Sequence, residues 1–240
     1  MKKSILYLLL FVLSAPAFAS QDTLSFSPEI TFHNGIVFFG SGHSVRKEIK
    51  NSGFGESGGP DSFFSLGLKK SPRREEASAQ LAIKVPVMSK YVVKGLYNYR
   101  DTNVRGSAYP FEPLSMNTSV NTIAALGYIP LKLKQFRAGA GPAFHLGKAN
   151  VAYAEAEQTK RSFSKPGFVL ESGFSSPANK RFYVDLQLQY FYVGKEDMGK
   201  YTFSGTTVEG NTVSKSIDFR ETSFNSFSFS LGAGFRFRKG

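Results

Sequence analysis

Apolar residues recur at every second position along most of this chain. In the last such run, Phe227, Phe229, Leu231, Ala233, Phe235 and Phe237 alternate with Ser226, Ser228, Ser230, Gly232, Gly234 and Arg236. A β-strand points successive side chains to opposite faces, so the run predicts a strand with one aromatic face and one small or charged face. Seven earlier runs carry the same signal. Leu24, Phe26, Ile30, Phe32, Ile36 and Phe38 share a face opposite Ser25, Ser27, Glu29, Thr31 and His33. Leu81, Ile83, Val85 and Val87 lie opposite Gln80, Ala82 and Lys84. Tyr91, Val93, Tyr97 and Tyr99 alternate with Lys94, Asn98 and Arg100. Val120, Ala124, Leu126 and Tyr128 form the next apolar face, with Asn121 and Gly127 opposite. Phe136, Ala138, Ala140, Phe144 and Leu146 face away from Arg137, Gly139, Gly141 and His145. Phe168, Leu170 and Phe174 oppose Glu171 and Gly173, and Phe182, Val184, Leu186, Leu188, Tyr190 and Tyr192 oppose Asp185, Gln187 and Gln189.

The connections alternate in length. Short turns are predicted near residues 88–90, 130–134 and 176–180, and long polar loops near 40–76, 101–118, 148–165 and 195–222. Amphipathic strands joined by short turns at one end and long loops at the other define a membrane-spanning barrel. The predicted fold is all-β, an antiparallel transmembrane β-barrel of eight strands. A further run, Phe64, Leu66 and Leu68, is assigned to the first long loop. With a hairpin at Asn34-Gly35 it would give ten strands, but the unbroken alternation from Leu24 to Phe38 argues against that split.

The N-terminus sets the address. Lys2 and Lys3 precede a short uncharged apolar run over residues 5–13, and Ala17-Phe18-Ala19 supplies a small-x-small cleavage pattern. Residues 1–19 therefore read as a signal peptide and 20–240 as one barrel domain. The chain has no cysteine, which removes disulfides and thiolate metal sites. Phe numbers 24 and Tyr 11, so aromatic side chains are abundant enough to cover a lipid-facing wall. The formal charge of +12 suits an anionic partner. With no nucleic-acid motif and an export signal, lipopolysaccharide phosphate is favoured over nucleic acid.

The faces opposite the apolar ones carry Glu29, Lys84, Lys94, Arg137, Glu171, Asp185 and Arg236. In a barrel too narrow to hold much beyond its own side chains, these residues are expected to pair as a charge network filling the lumen. Arg46, Lys47, Lys69, Lys70, Arg73, Arg74, Lys160 and Arg161 fall in the predicted external loops, as candidates for lipid phosphates. His145 and Glu171 lie on polar faces of neighbouring strands, and His43-Ser44 in a Gly-rich loop, but no serine motif accompanies either histidine. The reading is of a non-enzyme without cofactor or metal. Gly139/Gly141 and Gly232/Gly234 lack the spacing of a dinucleotide loop and are expected to make room for larger neighbours across the lumen.

With its export signal, alternating strands and aromatic C-terminal strand, the chain resembles the small eight-stranded outer-membrane barrels of the OmpX/OmpW-like group. The resemblance covers about residues 22–237. It implies outer-membrane lipid and lipopolysaccharide as surroundings, and an assembly machinery that reads the last strand. In that group the strand normally ends on its aromatic residue; here Arg238-Lys239-Gly240 follow Phe237. Functions compatible with the resemblance are a structural or interaction role at the cell surface and a narrow channel for small apolar solutes. A lipid-modifying enzyme and a soluble lipocalin-like barrel, turned inside out, are the remaining alternatives.

Overall fold

The computed structural model describes residues 28–38, 40–54, 73–88, 91–130, 135–154, 156–176 and 181–237. In chain order its elements are β1 (Glu29–Phe38), α1 (Ser41–Asn51), β2 (Arg73–Met88), β3 (Tyr91–Ala108), β4 (Phe111–Pro130), β5 (Phe136–Tyr153), β6 (Ala156–Ser175), β7 (Phe182–Tyr192), β8 (Lys195–Glu196), β9 (Lys200–Thr206), β10 (Thr212–Asp218), β11 (Thr222–Ser223) and β12 (Ser226–Arg236). Eight of the strands, β1 to β7 and β12, close one antiparallel barrel, with β12 pairing back onto β1. That register runs without a shift from Glu29↔Arg236 to Phe38↔Phe227, straight through Asn34 and Gly35. There is no hairpin at Asn34-Gly35, and the barrel has eight strands. Leu24, Phe26, the Phe64, Leu66 and Leu68 run, and the cleavage pattern lie outside the described residues.

The exterior is apolar on every barrel strand. Phe32, Ile83, Val93, Ile123, Phe144, Phe168, Leu188 and Phe229 are all exposed, whereas Thr31, His33, Asn98, Asp185 and Ser228 on the opposite face are fully buried. This inverts the arrangement of a soluble barrel and excludes the lipocalin-like alternative. Aromatic side chains gather at two heights. Phe136 and Phe174, with ring centroids 5.0 Å apart, and Phe182 and Phe235, 5.1 Å apart, ring the short-turn end. Phe168 stacks on Tyr192 at 4.8 Å and Tyr190 meets Phe227 at 4.7 Å toward the other end. Phe182 and Tyr192 mark the two heights on β7. Ten residues of strand at about 3.3 Å each, tilted by about 40°, separate them by about 25 Å, the height of a lipid-facing band.

Three expectations are corrected. The first concerns β4. Val120, Ala124, Leu126 and Tyr128 are buried in the lumen, and β4 turns the large apolar side chain of Ile123 outward. Leu126 pairs with Lys94 and Thr122 with Asn98. Cross-strand partners share a face, so once Lys94 and Asn98 point inward, Leu126 and Thr122 must follow. β4 is apolar on both faces, and its periodicity cannot tell one from the other.

The second concerns the long loops. Those predicted at 101–118 and 148–165 are largely strand: β3 to β6 are 18, 20, 18 and 20 residues long. A strand of 20 residues rises about 50 Å at ordinary pitch and tilt, twice the lipid-facing band. The alternation continues there, with Val104, Leu114, Met116, Ala149 and Val151 turned inward and buried. Lys160 and Arg161 are thus exposed residues of β6, and Arg73 and Arg74 belong to β2, opposite Arg105 and Val104.

The third is α1, which occupies part of the first predicted loop and carries His43, Arg46 and Lys47. Val45 and Ile49, one turn apart, are buried against the upper wall. The loop after β7 is also structured, as the β9–β10 hairpin and the short β8–β11 pair.

Candidate functional site

All seven residues proposed for the lumen face it, and hydrogen bonds join them. Asp185 on β7 is the hub. Its carboxylate accepts from Arg137 Nη2 at 2.6 Å, Gln187 Nε2 at 2.9 Å, Ser175 Oγ at 3.0 Å and Lys84 Nζ at 3.2 Å, and lies 3.1 Å from His33 Nε2. Glu171 on β6 accepts from Lys94 Nζ at 2.7 Å, Gln189 Nε2 at 2.8 Å and the Tyr128 hydroxyl. Glu29 accepts from Tyr183 at 2.5 Å and Arg236 Nε at 2.7 Å, with Lys84 Nζ 3.4 Å away. Lys84 thus bridges Glu29 to Asp185, and Arg137, 3.8 Å from Glu171, bridges Asp185 to Glu171. Gln80, Gln187 and Gln189 cross-link the centre: Gln80 donates to Gln187 at 2.9 Å and accepts from Gln189 at 2.7 Å.

Charged groups removed from water are tolerated only when such partners replace it. Three carboxylates meet four basic side chains here, and side-chain amides and phenols take up further lone pairs. Tyr128 and Tyr183 were not legible as members. Tyr183 shares parity with Asp185, the one signal that would have found it. Both lie over glycines: a Cβ at Gly234 would stand 2.2 Å from the Tyr183 ring and one at Gly139 2.9 Å from the Tyr128 ring. The inward glycines supply the space these phenols occupy.

Above this network the lumen becomes apolar. Val104, Leu114, Met116, Val120, Val151, Val193, Phe203, Ile217, Phe219 and Phe224 form one buried cluster with Val45 and Ile49 of α1 and with Phe54. Helix and hairpin thus close the long-strand end from inside and above. Between the two zones sits Arg100, 4% exposed, with its guanidinium 4.0 Å over the Phe191 ring. It donates to Ser226 Oγ and, at 3.0 Å, to Thr122 Oγ1, which lies 2.8 Å from His145 Nδ1. His145 Nε2 is 3.1 Å from the Tyr192 carbonyl, which can only accept. Nε2 therefore carries the proton, and Thr122 donates to Nδ1. His145 is not brought to Glu171: it pairs with Lys165, while Glu171 pairs with Gly139. His33 and His145 are buried in the lumen, His43 lies on α1, and no group of metal-ligating residues forms among the described residues.

This combination, a closed barrel with an apolar, aromatic-girdled exterior and a polar interior, defines the membrane-spanning class of β-barrel. No protein-family model matches the chain, and no curated protein matches it significantly. Solved structures with a similar course are outer-membrane barrels. A major outer membrane protein from Thermus thermophilus is 13% identical, with 88% of this chain and 99% of that one covered and a TM-score of 0.45. Ail, the attachment invasion locus protein of Yersinia pestis, in complex with the heparin analogue sucrose octasulfate, is 13% identical over 88% and 97% of the two chains, with a TM-score of 0.43. OprG of Pseudomonas aeruginosa is 11% identical over 88% and 97%, with a TM-score of 0.41. At these identities the likeness concerns the fold alone.

Proposed function

We propose that this chain is an outer-membrane barrel with a closed lumen that acts through its surface, as a structural or interaction protein. The observation that carries this reading is the double filling of the lumen, polar below and apolar above. An interior so occupied offers ions no water-filled route among the described residues. What remains available is the tall wall of β3 to β6. Exposed Arg105, Lys148 and Lys160 stand on it above the upper girdle, and Lys47 stands on α1. At that height phosphates of lipopolysaccharide, or an anionic partner, meet guanidinium and ammonium groups. Lys165 and Lys195, also near this height, pair with Glu196 and Glu221. The reading includes cleavage after Ala19, and assembly through β12 with its outward Phe227, Phe229 and Leu231, and Phe237 just beyond it.

Two measurements test it. Refolded mature protein in a planar bilayer should show no steady conductance; large, stable steps would overturn the closed lumen and promote the narrow-channel reading. Charge reversal at Lys148 and Lys160 together should weaken association with lipopolysaccharide relative to neutral phospholipid. Unchanged association would remove these residues from the contact.

A further inference from the structure

A small cavity lies inside the barrel mouth, beneath the N-terminus of α1. Its lining includes Gly40, Ser41, Arg100, Thr102, Thr118 and Ser226, and it holds about one water-sized particle. Two independent features give it a positive character. One is Arg100. Among the described residues its Nε–H has no partner and no carboxylate lies within ion-pair distance, and its other bonds go to the hydroxyls of Ser226 and Thr122. Every other lumen cation described above has a carboxylate. A guanidinium does not lose its proton in a protein, so burial leaves an uncompensated charge.

The second feature is the helix end. α1 has 11 residues, no side-chain cap and no acid in its first turn. His43 and Ser44 both bond back to the Gly40 carbonyl. The N–H groups of Ser41 and Gly42, both buried, have no acceptor within the helix. Ser41 Oγ lies 2.8 Å from Thr118 Oγ1, so two hydroxyls meet at the lining. One carboxylate on this wall is Glu76, whose Oε1 accepts from Thr102 at 3.5 Å.

From this geometry we infer a binding site for a single monatomic anion, a halide ion, held by Arg100, the hydroxyls of the lining and the open end of α1. Size excludes phosphate and sulfate, which need several times the volume of one water. A halide is spherical and accepts from donors in any direction, which suits hydroxyls that can rotate, here set among Val37, Val120 and Phe224. The ion would neutralise Arg100 and fasten α1 into the mouth, coupling the helix to the wall at Thr118.

The test is the thermal unfolding midpoint of the refolded mature protein, at equal ionic strength, in sodium chloride or bromide against sodium gluconate. A ligand bound only by the folded state raises stability with the logarithm of its concentration. The wild type should show a halide-dependent rise, Arg100→Met should lose it, and Glu76→Gln, which removes a nearby negative charge, should keep or enlarge it. A wild type indifferent to halide, or an equal rise in Arg100→Met, overturns the site. A response appearing only in Glu76→Gln also overturns it, since Glu76 would then be the counter-charge. If Arg100→Met does not fold, Thr118→Val decides: its halide response should shrink, and an unchanged response rejects the proposal.

Discussion

The two ends of this lumen solve the same packing problem with opposite chemistry. Near the short turns, Asp185, Glu171 and Glu29 are buried with Lys84, Lys94, Arg137 and Arg236 in a mesh of directional bonds. At the far end Leu114, Met116, Ile217, Phe219 and Phe224 fill the mouth by contact alone, with α1 as an added piece. The difference follows from what each end can recruit. At the short-turn end the described residues are the strands themselves, and a narrow ring of inward positions carries both sides of every pair. At the other end long strands and an internal hairpin bring in extra chain, so apolar side chains can be covered. The polar end is brittle, because removing one partner strands the others. The apolar end gives way gradually.

That contrast makes the largest expected effect the loss of the hub. Asp185→Ala leaves Arg137, Lys84 and His33 without their shared acceptor and should cost about 3–5 kcal/mol in a denaturant titration of the folded barrel in detergent. A cost near that of a surface change would mean that the network is slack. Ile49→Ala at the apolar end should cost somewhat less, about 2–4 kcal/mol, through the cavity it leaves. It should also raise protease sensitivity at α1 while the barrel stays folded on a gel. Leu188→Arg tests the exterior. On the lipid side near mid-band it should cost about 2–4 kcal/mol in bilayers. Gln187, one residue earlier, should be shielded from lipid-soluble quenchers that reach position 188; the reverse order would sink the lipid-facing assignment.

The smallest effect belongs outside the membrane. Asp218 on the β9–β10 hairpin accepts from Arg220 Nε at 2.9 Å, and that hydrogen bond, with the guanidinium charge, lowers its pKa from 3.8 to about 2. A depressed acid stabilises above its ordinary value, and the contribution fades as pH falls through the folded one. The hairpin should therefore loosen slightly between about pH 4 and pH 2, followed by amide exchange at Ile217 and Phe219. No response in that window, or loosening on raising the pH, would show that the pair does not hold the hairpin.

By itself the sequence determined the strands of the membrane band. Alternation in β1, β2, β3, β5, β6, β7 and β12 named the outward face correctly because lipid and a polar lumen demand opposite chemistry of neighbouring residues. Parity also put Glu29, Lys84, Lys94, Arg137, Glu171, Asp185 and Arg236 on the face opposite the apolar one, and Arg100 is an eighth inward charge. It could not place β4, whose two faces are both apolar; pairing of Leu126 with Lys94 decided that. Nor did it reveal how far β3 to β6 extend. Beyond the lipid the outer face turns polar while the inner face becomes apolar, so the pattern reads as a loop. The partners were beyond it too. Tyr183, Tyr128, Gln80 and Arg100 stand far from their contacts along the chain, and closure of the ring alone sets which inward positions meet. Tertiary structure also decided that Arg100 has no acid within ion-pair distance among the described residues. A charge on a polar face looks the same in sequence whether its neighbour across the lumen is a carboxylate or a ring of hydroxyls.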